Sequence, residues 1–101
     1  MKEIKVGAHK YTIHLSPTDS EGTCGETDFV KSTILINPHM SQSMKESTLI
    51  HEILHACNTT FSDEHLAHSV LDSMADQLYQ VLSDNGLLNK KAFETLLGVH
   101  N

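Results

Sequence analysis

His51-Glu52-Ile53-Leu54-His55, inside the string Ser47-Thr48-Leu49-Ile50-His51-Glu52-Ile53-Leu54-His55-Ala56, joins residue types to a spacing that specifies a chemistry. Positions four apart on an α-helix lie one above the other on one face, so His51 and His55 can present two imidazole nitrogens to one metal ion. Glu52 sits about 100° round the helix from His51. There it can take a proton from a water at the same site without competing for the metal, the role of a general base. The bland alternative is coincidence: H-E-x-x-H arises by chance in roughly 0.04 of chains with this many His and Glu residues.

The neighbouring residues fit a helix. Leu49, Ile50, Ile53, Leu54 and Cys57 form an apolar stripe at a 3.6-residue period. His51 and His55 fall about 100° and 140° from Ile50, and Glu52 about 200°. The ligands are therefore expected at the border of the core, where a metal with a water-accessible position belongs. Ser43-Met44-Lys45-Glu46 fits a capping box, with Ser41 as the alternative cap. Asn58-Thr59-Thr60-Phe61 breaks the pattern and is expected to end the helix.

Residues ahead of Pro38 read as β-structure. Ile4 and Val6, then Tyr11, Ile13 and Leu15, alternate with polar residues around Gly7-Ala8-His9-Lys10, a hairpin with one buried face and with His9 and His14 turned to solvent. Ser16 to Gly22 is a loop rich in turn formers. Thr23 to Asp28 and Lys31 to Ile36 read as a second hairpin through Phe29-Val30-Lys31-Ser32, ended at Asn37-Pro38 because proline cannot donate to a sheet ladder. After the metal-binding helix, Ser62 ahead of Asp63-Glu64 is expected to cap a second helix reaching about Asp84. Its expected core face is Ala67, Leu71, Met74, Leu78 and Val81 or Leu82, with Asn85-Gly86 as its stop. Asn89 can cap a short third helix, Lys90 to Leu97. The expected fold class is α+β: a small antiparallel sheet of two hairpins, the H-E-x-x-H helix, an antiparallel second helix and a short third one, in a single domain over 1–101.

Zinc normally takes three protein ligands plus water in a catalytic site. A second helix folded back on the first passes the two histidines, offering Asp63, Glu64, His65 and His68. With Ala67 at the centre of the core face, Glu64 and His68 share one flank at about 60° and 100°, while His65 lies near 160°. Depth along the helix favours His68, and a long carboxylate at Glu64 can still reach back. The third ligand is thus one of these two, the other lining the site or hydrogen-bonding a ligand histidine. His39, His65 and Tyr79 are available to stabilise an oxyanion, with Tyr79 too far along the helix from His68 to favour it.

A net charge of −6, with 7 basic residues in no cluster, argues against nucleic acid or an anionic membrane as partner. No apolar run approaches a membrane span and the first residues lack a signal-peptide core, so a cytoplasmic protein is expected. Cys24 and Cys57 make no disulfide framework and are expected to be reduced thiols. No apolar stripe is left over on the helical wheel, which points to a monomer.

The H-E-x-x-H string and its order after β-hairpins resemble minimal zincins, specifically small phage and prophage metallopeptidases related to the gluzincins. Gly25-Glu26-Thr27-Asp28 and Gln77-Leu78-Tyr79-Gln80-Val81-Leu82-Ser83-Asp84-Asn85 are also similar to that group. The resemblance implies His51 and His55 as zinc ligands and Glu52 as base. Gluzincins supply a glutamate as third ligand, which implies Glu64; aligned instead on Val70-Leu71, the phage pattern puts His68 at the acidic position. The implied function is zinc-dependent hydrolysis of a peptide or protein substrate, in a phage or prophage protein of a bacterial host. An extended substrate is expected to pair with a sheet edge, the strand ending at Ile36 being the candidate. The alternative is a catalytically silent, metal-stabilised phage regulatory or binding protein on the same fold.

Overall fold

Alternating apolar residues build the sheet as the sequence suggests. In the computed structural model, which describes residues 2–16, 23–61 and 66–98, β1 (Glu3–Val6) and β2 (His9–Leu15) pair antiparallel around Gly7. Gly7 takes φ +62°, the left-handed conformation that a two-residue hairpin asks of its first turn residue. β3 (Gly25–Asp28) and β4 (Thr33–Ile36) form the second antiparallel hairpin. Its turn is held by the Asp28 carboxylate, which accepts from the Val30 and Lys31 N–H groups.

The sheet is mixed rather than antiparallel throughout. β2 and β4 run parallel, with Ile13 beside Ile34 and Leu15 beside Ile36, and the strand order is β1-β2-β4-β3. The composition of the strands explains the order. β4 is the most apolar of the four, and its Ile34 and Ile36 are fully buried; that residue set belongs in the middle of a sheet. The polar Gly-Glu-Thr-Asp strand β3 takes the edge. The strand ending at Ile36 is therefore paired on both sides, and the edge beside α1 belongs to β3.

Three helices follow: α1 (Gln42–Phe61), α2 (His68–Asp84) and α3 (Lys90–Leu96). Ser41 caps α1, its hydroxyl accepting from Met44 N–H. Leu49 and Ala56 of α1 enter the core against Tyr11, Ile13, Ile34 and Ile36. The helix does not stop at Asn58. The Asn58 side chain accepts from the N–H of Leu66 and donates to its carbonyl, so this amide clamps the returning chain while its own backbone stays helical. α2 starts later than expected, at His68 behind Ala67; Ser62, Asp63, Glu64 and His65 lie outside the described residues.

α2 lies antiparallel on α1, with Leu66 by Asn58, Asp72 by His51 and Tyr79 by Glu46. Only Leu71 and Ala75 of α2 are buried. Met74 and Leu78, expected in the core, are 47% and 40% exposed, and of the alternatives Val81 and Leu82 the first is 46% exposed and the second half-buried; among the described residues α2 packs mainly on α1. At its end Gly86 takes φ +67°, and Asn89 caps α3 by accepting from Ala92 N–H.

The far ends of the helices meet at Glu46, a buried residue that is not part of a capping box. Its carboxylate accepts from Tyr79 Oη at 2.8 Å, Lys90 Nζ at 2.7 Å and Gln42. Burial pushes its pKa up, but the hydrogen bonds from Lys90, Tyr79 and Gln42 outweigh this and hold it below the ordinary 4.5. A carboxyl with a depressed folded pKa contributes stability that is complete above its unfolded pKa and is lost as pH falls through the folded value. Glu46→Gln should therefore cost about 1–3 kcal/mol at pH 7. In urea titrations the gap from the parent should close as pH drops below about 4.5.

Candidate metal centre

Two four-residue steps face each other across the α1/α2 seam. His51 and His55 on α1 have Nε2 atoms 3.0 Å apart. His68 and Asp72 on the first turns of α2 form the second pair, with Nε2 and Oδ1 separated by 3.4 Å. Across the seam, Asp72 Oδ1 lies 3.0 Å from His51 Nε2 and 3.9 Å from His55 Nε2. One ligand atom from each of the four residues lies within 4.8 Å of all the others. Zinc with ligands at about 2.0–2.1 Å in a tetrahedron separates them by roughly 3.3–3.4 Å, close to the shorter of these separations, so the cluster could hold one ion.

An orphaned atom supports that fit. Asp72 Oδ1 is buried and has no hydrogen-bond partner, although three imidazole nitrogens lie 3.0–3.9 Å from it. A buried carboxylate oxygen without a partner is costly, and an ion among the three imidazoles supplies what it lacks. Burial lowers the pKa of His55, assisted by its neighbour His51, which favours the neutral imidazole that binds metal.

The sequence candidates divide as follows. His51, His55 and His68 come together, whereas Glu64 lies outside the described residues. Asp72 was not among the expected ligands. Its signal is the repeat of the spacing His51 to His55 in His68 to Asp72, and on a helical wheel Asp72 falls about 40° from His68 on the same flank. α2 begins at His68, so Asp72, one turn further on, comes level with the histidines of α1.

Glu52 is buried although it lies about 200° round the helix from Ile50, because Thr27 of β3 passes over it. Thr27 Oγ1 donates to Glu52 Oε1 at 2.6 Å. The second oxygen, Oε2, lies 3.9 Å from His51 Nε2, so the clamp on one oxygen leaves the other beside the histidine cluster. Burial raises the Glu52 pKa, with the Thr27 hydrogen bond opposing. Strand alternation places Thr27 and Gly25 on the sheet face that meets α1. A Cβ at Gly25 would lie 2.8 Å from Thr48 Cγ2, 2.9 Å from the Leu35 carbonyl oxygen and 3.3 Å from Glu52 Cγ, so β3 reaches this close only with glycine there.

A cleft of about 600 Å³ opens between β3 and the helices, lined by Cys24, Thr27, Phe29, Glu52, the three histidines and Asp76 among others. None of its lining residues is Lys or Arg. Of the residues considered for an oxyanion, Tyr79 is engaged with Glu46, His39 is exposed and not part of the cleft lining, and His65 lies outside the described residues. Both cysteines are free, and no helix is long and apolar enough to cross a membrane. No protein-family model, curated protein or solved structure matches this chain.

Two measurements check the centre. Titration with zinc should give one equivalent bound, and zinc at a hundred times its Kd should add about 2.7 kcal/mol to stability. Asp72→Ala should weaken zinc binding more than about tenfold, as should His68→Ala. Separately, Gly25→Ala should cost about 1–3 kcal/mol in urea unfolding, since Thr48 and the Leu35 carbonyl must give way.

Proposed function

We propose that this chain is a zinc-dependent peptidase of minimal zincin type, with Glu52 as general base. The observation that carries the reading is the state of Glu52: a buried carboxylate with no lysine partner, one oxygen tied to Thr27, the other directed to the three-histidine cluster, on the wall of an open cleft. The residues that hold the ion are His51, His55 and His68, with Asp72 as the fourth donor. Three imidazoles and a carboxylate are a donor set that suits zinc. A bound zinc ion supplies Lewis acidity, lowering the pKa of a water and polarising a peptide carbonyl.

The rest falls to the chain's own groups. Glu52 takes a proton from the attacking water and later delivers it to the leaving amine. Thr27 fixes the carboxylate so that one oxygen keeps its orientation through both transfers. The edge of β3 lies along the cleft, so an extended peptide can add to it through main-chain hydrogen bonds. The strand ending at Ile36 cannot serve, being interior to the sheet.

One observation favours the second reading, a metal-stabilised binding protein. Asp72 would offer an ion a fourth protein donor, and closed four-ligand zinc sites are structural, whereas catalytic ones keep a position open. Peptide-library digestion with zinc-loaded protein distinguishes the two. On the peptidase reading, Glu52→Gln keeps full zinc stoichiometry and loses at least about a hundredfold in turnover. Equal cleavage by parent and Glu52→Gln sinks that reading. No cleavage by either, together with X-ray absorption showing four protein ligands on the zinc, establishes the binding protein.

A further inference from the structure

α2 presents two different flanks. Taking Leu71 as the direction of α1, His68 and Asp72 lie about 60° and 100° to one side; Val70, Met74, Leu78 and Val81 lie between about 20° and 100° to the other. The second set is exposed by 40–47%, and Leu66 and Leu87, just outside the two ends of the helix, are exposed by 46% and 68%. Six of the nine large hydrophobics exposed among the described residues thus belong to α2 and its two ends. Single exposed apolar residues are ordinary, but four at helical spacing on one flank, with a further exposed leucine beyond each end, mark an interaction surface.

We infer that this row is the contact between two copies of the chain, packed α2 against α2 in antiparallel fashion about a two-fold axis near position 76. Three observations select a second copy as the occupant. The row is symmetric in position: Met74 and Leu78 lie two residues either side of 76, Val70 and Val81 six and five, Leu66 and Leu87 ten and eleven. An antiparallel two-fold therefore sets Met74 against Leu78 and Val70 against Val81 of the second copy, the self-complementarity that an isologous interface requires. The area also agrees. The six side chains leave on the order of 500 Å² of apolar surface, close to the apolar share of the about 800 Å² that each partner brings to a standard interface.

Charge is the third observation. α2 carries Asp72, Asp76 and Asp84 and no Lys or Arg, yet Asp72 and Asp76 are turned to the flank of the metal centre. The rim of the apolar row is Ser73, Gln77 and Gln80, which are neutral, so two copies meet without opposed carboxylates. Asp84 comes to the N-terminal turn of the facing helix, whose dipole favours an acid. The ligand flank remains open, and the pairing does not rest on the peptidase reading.

Sedimentation velocity on the full chain, with and without zinc, from low micromolar to about 0.5 mM, tests this. A concentration-dependent dimer is expected. Met74→Glu alone should raise its dissociation constant at least about a hundredfold, since a two-fold axis applies the change twice. The combined Met74→Glu and Leu78→Lys variant should recover much of the dimer, because antiparallel pairing sets each new acid against a new base. Unchanged zinc stoichiometry in both variants shows that the chain still folds. A parent that stays monomeric throughout overturns the inference, as does a dimer indifferent to Met74→Glu, or a folded double variant that remains as monomeric as the single one.

Discussion

The site depends on the antiparallel register of α1 and α2. Helical geometry stacks residues four apart, so each helix contributes one vertical pair of donors; only when the two pairs come level do three imidazoles and a carboxylate share a centre. Leu71 and Ala75 supply the packing that holds this register, and Ala75 permits a close approach of the helices. The Asn58 amide fixes Leu66 two residues ahead of His68, and the Glu46 network pins the opposite end of the pair. The middle of the seam, where like-charged or unpartnered donors cost most, is thus held from both sides.

Much of this was legible in the residues. His51, Glu52 and His55 announce themselves because their spacing is a property of one helix, and the return of the next narrows the third donor to His68 or Glu64. The two hairpins and the caps at Ser41 and Asn89 rest on local signals of the same kind. What sequence did not disclose is non-local. That β4 inserts between β2 and β3 is a choice among strand orders, made by burying Ile34 and Ile36 together, and no spacing within a strand encodes it. Asp72 escaped because its value as a ligand depends on where α2 begins, and Ala67 rather than Ser62 sets that start. The exposure of Met74 and Val81 likewise reflects how little of α2 its neighbours cover, which an amphipathic pattern by itself does not reveal.

Glu52 shows how the layers cooperate. Its helical phase would leave it at the surface, but the edge strand passes over it closely enough to bury it, and a residue without a Cβ makes that passage possible. Burial then removes water from the carboxylate while Thr27 replaces part of what is lost. The same contact therefore organises the sheet on the helix and defines the environment of the acid that neighbours His51 on α1. The tension with Asp72 is also structural: a donor set rich enough to hold an ion firmly is one donor richer than hydrolysis needs.

The composition of β3 has a further meaning. A strand edge ready to receive a peptide is equally ready to receive the same edge of another molecule, the first step of sheet-to-sheet polymerisation. Here that edge is four residues long, begins with glycine and carries Glu26 and Asp28 on the same side of the sheet. Two such edges brought together would confront carboxylates over a span too brief to compensate with ladder bonds. A short edge of this composition disfavours pairing with its own copy, which favours colloidal stability.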